Sequence, residues 1–145
     1  MGQTRFREDR NMTRQISIFA ENKKGAMHKI TSILQEAGIN MSSLVANDSA
    51  EFGIARVLCD KPEEALNKLT EAGYMCRIDN VLCVDIADEV GSLNRLLGDI
   101  HNANVNVDYM YVALSTTSGK ALGVLRVPDI ELVESMLADK GYRTL

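Results

Sequence analysis

Two short polar turns, Asn22-Lys23-Lys24-Gly25 and Asp88-Glu89-Val90-Gly91, hold the residues of this chain best suited to binding chemistry. Each follows an alternating apolar stretch, Gln15 to Ala20 or Leu82 to Ala87, and each opens a segment whose apolar residues have helical spacing. A helix that begins at such a turn presents unpaired backbone N–H groups and a partial positive charge, which suit a carboxylate or a phosphate. Glycine, lacking Cβ, lets a ligand come close to the backbone there. Asn22 or Asp88, three residues earlier, offers an oxygen that can cap the helix or hold an ammonium group. An anion at one end and a cation at the rim are the two charges of a free amino acid. Helix capping accounts for the same residue types, so both readings stand at this level. After each helix comes an asparagine flanked by apolar residues, Asn40 in Gly38-Ile39-Asn40-Met41 and Asn106 in Asn104-Val105-Asn106-Val107. Strand propensity disfavours asparagine there, which leaves a ligand contact or a turn cap.

The elements that position these residues occur twice. Residues 16–74 and 82–142 superpose as sequences, with Met27, Ile30, Leu34, Ile39 and Asn40 meeting Leu93, Leu96, Ile100, Val105 and Asn106 at one constant offset. Farther on, Gly53-Ile54-Ala55-Arg56-Val57 matches Gly123-Val124-Leu125-Arg126-Val127, and Gly73-Tyr74 matches Gly141-Tyr142. Duplication of one compact unit follows.

Within a copy the periods change in order. Ile16, Ile18 and Ala20 alternate with Gln15, Ser17 and Phe19 as in a strand, and Met27, Ile30, Ile33, Leu34 and Ala37 then follow helical spacing up to Gly38. A strand from Asn40, a turn at Asn47-Asp48 and a strand through Leu58 come next. Pro62 opens a second helix with Leu66, Leu69 and Ala72 facing inward, and Gly73 ends it. In the second copy the first helical stripe is Leu93, Leu96, Leu97 and Ile100. Strand, helix, strand, strand, helix, strand is the order of a ferredoxin-like unit. The expected fold is therefore α+β, two βαββαβ units with antiparallel sheets and helices on one face. Residues 1–13 are expected to be a disordered segment, residues 14–79 the first domain and residues 80–145 the second, with Asp79-Asn80 as the only join.

Composition narrows the function. In a chain of 145 residues, each copy is near the lower size limit for independent stability, about 60 residues. A net charge of −4 with scattered basic residues argues against nucleic acid as the partner. No apolar run reaches the length that spans a bilayer, so a membrane-embedded protein is not expected, and a cytoplasmic location is expected from cysteines that read as reduced thiols. Cys59, Cys76 and Cys83 are odd in number and lack metal-type spacing, and they read as buried reduced thiols. The alternative is a Cys76 to Cys83 bridge across a hairpin turning at Asp79-Asn80. His28 and His101 stand at non-equivalent helix positions, and no nucleophile, metal or phosphate-loop motif occurs. Arg56 and Arg126, equivalent strand positions, read as interface or edge ion pairs. Tyr109 and Tyr111 share one strand face and read as packing residues or as walls of an effector pocket.

With these residues in place the chain resembles the ACT domain family, small βαββαβ modules that sense amino acids in biosynthetic enzymes and regulators. The resemblance is carried by Asn22-x-x-Gly25-x-Met27 with Gly38-Ile39-Asn40-Met41, and by Asp88-x-x-Gly91-x-Leu93 with Val105-Asn106-Val107, and it covers the chain after residue 13. It implies effector binding between two ACT units, by the strand-to-helix loop of one and the asparagine-like position of its neighbour. The ligand-binding positions it implies are Asn22, Gly25, Ala26 and Asn40 in the first copy, and Asp88, Gly91, Ser92 and Asn106 in the second. Lys24 and Val90 depart from the proline common before the family's glycine, and Asn104 stands where the first copy has Gly38. The implied protein is a regulator and not an enzyme, with an amino acid or related metabolite as effector. It needs no cofactor or metal, forms a homodimer, and signals to a metabolic enzyme or regulator. An interaction or oligomerisation module without ligand is the alternative, and a small enzyme on the same scaffold is the third reading.

Overall fold

The computed structural model describes residues 13–21, 23–47, 52–114 and 120–145. Arg14–Asp79 form one compact unit, and Asn80–Leu145 form the body of the other. Of the N-terminal segment expected to be disordered, residues 1–12 lie outside the described residues, and Thr13 already belongs to a strand.

The first unit runs β1 (Thr13–Glu21), α1 (Ala26–Glu36), β2 (Met41–Asn47), β3 (Phe52–Cys59), α2 (Pro62–Glu71) and the first part of β4 (Met75–Ile86). Its strand order is β2-β3-β1-β4. β1 and β3 are antiparallel, with Ile16 opposite Val57 and Ile18 opposite Ala55. The period-2 pattern of β1 sends Ile16, Ile18 and Ala20 into one core with Ala55 and Val57 of β3, Ile30 and Leu34 of α1, and Ala65 and Leu69 of α2. One cluster shared by both helices means that they cover the same face of the sheet. On the opposite face Gln15 and Ser17 are buried as well. Gln15 donates to the Ser17 hydroxyl at 3.2 Å, and that hydroxyl donates to Asp79 at 2.7 Å, so both buried side chains have hydrogen-bond partners.

The second unit continues β4 and adds α3 (Ser92–Asn102), β5 (Tyr109–Leu114), β6 (Ala121–Arg126) and α4 (Ile130–Asp139), with strand order β4-β6-β5. Its core repeats the first: Leu82, Val84 and Ile86 of β4, Leu96 and Ile100 of α3, Leu125 of β6, and Val133 and Leu137 of α4. Its last strand is reduced to a bridge between Val84 and Thr144, held by Asp85 N–H to the Arg143 carbonyl and Leu145 N–H to the Cys83 carbonyl, both at 2.9 Å.

Several expectations are corrected. Asp79 and Asn80 make no turn, because β4 runs unbroken through them. Cys76 and Cys83 are thus seven residues apart on one extended strand, about 23 Å, too far for a disulfide. All three cysteines are free, but only Cys83 is buried. Burial pushes its thiol pKa up, as it does that of half-buried Cys59. In α2, Ala65 takes the inward place expected of Ala72, which caps the helix in solvent, and Leu66 is half-buried. In α3 only Leu96 and Ile100 are buried, while Leu93 and Leu97 are 39% and 36% exposed. The apolar stripe is wider than the strip of helix that the sheet covers. Arg56 and Arg126 sit on β3 and β6, each flanked by strands on both sides, and the Arg126 guanidinium donates to the backbone carbonyl of Asn80. Neither lies at a sheet edge.

Candidate functional site

The two strand-to-helix loops have the same backbone. In the first unit Lys23 N–H donates to the Glu21 carbonyl at 2.9 Å, Ala26 N–H to Lys23 at 3.2 Å and Lys29 N–H to Gly25 at 3.0 Å. In the second, Glu89 N–H donates to Ala87 at 2.9 Å, Ser92 N–H to Glu89 at 3.2 Å and Arg95 N–H to Gly91 at 2.9 Å. The first helical N–H of each, on Ala26 or Ser92, is therefore engaged by the loop. The next two, on Met27 and His28 or on Leu93 and Asn94, have no backbone acceptor among the described residues. These are the donors left for an anion.

Gly25 and Gly91 are the N-cap residues, with φ of 84° and 88°. That left-handed conformation explains glycine at both places without a ligand. A Cβ on either would meet no atom within 4 Å, so the space above the loop is open as well. Asp88 is exposed, and no hydrogen bond ties its carboxylate to the helix start among the described residues. Asn22 lies outside the described residues.

The same conformational logic explains the change from Gly38 to Asn104. They follow α1 and α3 with φ of 71° and 60°. Gly38 N–H donates to Gln35 and Ile39 N–H to Leu34, while Asn104 N–H donates to His101 and Val105 N–H to Ile100. This is the paired bonding of a left-handed helix end, where asparagine is the usual substitute for glycine. Gly73 and Gly141, with Tyr74 and Tyr142 behind them, close α2 and α4 in the same way.

Within a unit the loop and its asparagine are not brought together. Asn40 follows the C-terminal end of α1 and Gly25 precedes its start, so the helix length of about 16 Å separates them. Asn40 is exposed, its N–H accepted by the Asp60 carboxylate at 3.0 Å. Asn106, also exposed, precedes β5 by three residues and donates from its side chain to Asp108 at 3.3 Å.

The first loop stands between two clefts. One, of about 430 Å³, opens beside Met27, His28, Asn47 and Gly53. The other, of about 590 Å³, is lined by Phe19, Lys24, Lys29, Tyr74 and Met75, and the two share Ala20, Glu21, Lys23, Gly25 and Ala26. Lys23 pairs with Glu21 at 3.2 Å, whereas Lys24 and Lys29 have no carboxylate within reach among the described residues.

A second repeated constellation escaped the sequence reading. The Lys29 ammonium lies 5.8 Å from the centre of the Tyr74 ring, and the Arg95 guanidinium, at the equivalent helix position, 5.6 Å from that of Tyr142. The Tyr142 hydroxyl donates to Asp99 at 2.6 Å. Desolvation first, and then this bond to Asp99, pushes the Tyr142 pKa up. Each tyrosine lies more than forty residues from its cation, so only the shared Gly-Tyr pairs hinted at it. Among the described residues no group of His, Cys, Asp or Glu could hold a metal ion, and no helix is long and apolar enough to cross a membrane.

A model of the ACT domain pair matches residues 12–141. The chain belongs to that family. Among solved structures it is similar to protein BT0572 from Bacteroides thetaiotaomicron, at 28% identity and a TM-score of 0.84, over 93% of this chain and 92% of that one. It also shares its fold with the regulatory subunits of aspartate kinase from Thermus thermophilus (18% identity, TM-score 0.63, 88% of this chain and 89% of that one) and Thermus flavus (20%, 0.64, 88% and 90%). No curated protein matches the sequence. The ACT pair carries the resemblance to regulatory modules, and its two βαββαβ units are those expected from the duplicated sequence.

Proposed function

We propose that this ACT pair is a non-catalytic regulator that binds a small amino acid at its strand-to-helix loops and passes occupancy to a partner protein. The observation that carries this reading is the loop repeated bond for bond, with two backbone N–H groups left over at each helix start. The effector's carboxylate meets the N–H groups of Met27 and His28, beside the 430 Å³ cleft. Its ammonium group is held by the side-chain oxygen of an asparagine. Asn40 and Asn106 each stand a helix length from their own loop, so each serves the loop of an ACT unit in the partner chain of a homodimer. Asn22, Gly25, Ala26 and Asn106 then form one site, and Asp88, Gly91, Ser92 and Asn40 the other. The similarity to aspartate kinase regulatory subunits supports an enzyme of amino acid metabolism as the partner class. A ligand changes the partner only to the extent that it binds the competent and incompetent states differently.

A second reading, an interaction module without ligand, draws on the second loop, where Val90 is fully exposed and Leu93 and Leu97 are more than a third exposed. A thermal-shift screen against the twenty amino acids separates the two. A true effector at about 100 times its Kd adds roughly 2.7 kcal/mol and raises Tm by several degrees. A screen in which no amino acid moves Tm leaves the interaction module.

A further inference from the structure

We propose that the helix-free face of the sheet in the second unit is a docking surface for this chain's own N-terminal segment, residues 1–12. The centre of that face is apolar and dry. Val81, Cys83 and Val124 are buried, and pairing sets Cys83 beside Val124 and Val124 beside Tyr111 across β4, β6 and β5. None of the three buried residues belongs to the core under the helices, where Leu82, Val84 and Leu125 point the other way. Both α3 and α4 contribute to that core, so neither covers the free face. An antiparallel sheet with one solvated face alternates apolar and polar residues, whereas Val81-Leu82-Cys83-Val84 is an unbroken apolar run, as in strands buried on both sides. The fold does not demand this. At the matching places of β1 the first unit has Gln15 and Ser17.

The point where the described chain begins identifies the occupant. Thr13 belongs to this unit, and its side chain hydrogen-bonds the Cys83 sulfur on the free face. One edge of β4 is taken by β6. Along the other, Leu145 N–H donates to the Cys83 carbonyl and Asp85 N–H to the Arg143 carbonyl. The chain before Thr13 therefore has no edge to continue along and leaves the plane of the sheet. Seven residues reach up to about 23 Å, whereas three strands span about 10 Å, so Phe6, the only aromatic of the segment, can lie over Val124 and against Tyr111. At the rim the Asp85 side chain is 7% exposed, with Arg143 at 4.0 Å, outside hydrogen-bond reach. A carboxylate so buried takes closer donors, and Arg5, Arg7 and Arg10 of the segment are suited to supply them. Tethering gives the segment a high local concentration at this face, which a second copy or a separate protein lacks.

The test is alkylation of the full chain by N-ethylmaleimide, followed cysteine by cysteine by mass spectrometry. Cys83 is expected to react at least about tenfold more slowly than half-buried Cys76, and to keep that protection when the protein is diluted about a hundredfold. Phe6→Asp should speed Cys83 about tenfold and leave Cys59 and Cys76 unchanged, while Phe6→Leu, still apolar, should change Cys83 less than about threefold. Residue 6 precedes every strand and helix of both cores, and the rates at Cys59 and Cys76 check that the variants fold. An unaltered Cys83 rate in Phe6→Asp, or an equal rise at all three cysteines, would overturn the proposal. So would protection lost on dilution, which would make a second copy the cover, or a Cys83 as reactive as Cys76 in the unaltered chain, which would leave the face to a separate partner.

Discussion

The two strand-to-helix loops share a backbone and differ in almost every side chain that could meet a ligand. Lys23 and Lys24 in the first become Glu89 and Val90 in the second, Ala26 becomes Ser92, and His28 becomes Asn94. The hydrogen bonds nevertheless coincide, and the glycine φ values agree within a few degrees. Loop geometry is therefore set by the glycine and the carbonyls of the turn, which leaves the other positions open to divergence. The first loop is cationic and faces two clefts. The second places Asp88 and Glu89 beside a helix start that favours anions, with Val90 in solvent. If both loops bind an amino acid as proposed, the first should favour the carboxylate end and the second, through Asp88, the ammonium end. The Tyr–cation pairs diverge in the same manner, one joined by the Asp99 carboxylate and the other with Ile33 in the place of that carboxylate.

If the units are equivalent in packing and differ only in surface chemistry, core lesions at matched positions should cost alike. Leu69 of α2 and Leu137 of α4 are both fully buried in their own clusters. Leu69→Ala and Leu137→Ala are each expected to destabilise by about 2–5 kcal/mol, measured by urea denaturation. A difference between them larger than that range would break the equivalence.

A smaller effect is expected at the loops. Gly25→Val and Gly91→Val force a β-branched residue into a left-handed conformation, at about 1–3 kcal/mol each. Valine there disturbs the turn as well as any ligand, so loss of binding must be read beside loss of stability. The helix ends sharpen the point, since Asn104 already occupies the left-handed place of Gly38. Gly38→Asn should therefore cost less than about 1 kcal/mol by the same denaturation measurement. A cost near that of Gly25→Val would mean that the two ends are not equivalent.

The architecture was legible because duplication and periodicity act together. Ile16, Ile18 and Ala20 alternate, Ile30 and Leu34 repeat at helical spacing, and each pattern recurs in the second copy. Periodicity could not say how much of a helical stripe the sheet would cover, hence the misplacement of Leu93, Leu97 and Ala72. Asp79-Asn80 has turn-forming residue types, but Ser17 binds Asp79 at 2.7 Å and the Asn80 carbonyl accepts from Arg126, so tertiary partners hold the segment extended. At the loops the sequence pointed to Gly25 and Gly91, and the structure adds a conformational reason for them that needs no ligand. The Lys29–Tyr74 and Arg95–Tyr142 pairs were out of reach because they join a first helix to the turn after a second, and no local pattern encodes that contact.

The smallest expected effect isolates the carboxylate that distinguishes the second Tyr–cation pair. Tyr142 has its pKa raised above the ordinary value of 10.0, first by desolvation and then by its bond to Asp99. A group whose pKa is higher folded than unfolded binds its proton more tightly in the native state, so stability falls as pH rises between the two values. The contribution is complete below about pH 10 and is lost as pH climbs through the folded pKa. Asp99→Asn keeps the shape of the acceptor and removes the charge, which should lower the Tyr142 pKa toward that of an ordinary tyrosine. In a spectrophotometric titration of phenolate absorbance, the most alkaline phase should move to lower pH in Asp99→Asn and stay in place in Lys29→Gln. Stability followed over the same alkaline range should become less steep in Asp99→Asn. A titration unchanged by Asp99→Asn would leave desolvation as the sole cause of the shift, and the two pairs would then differ in geometry alone.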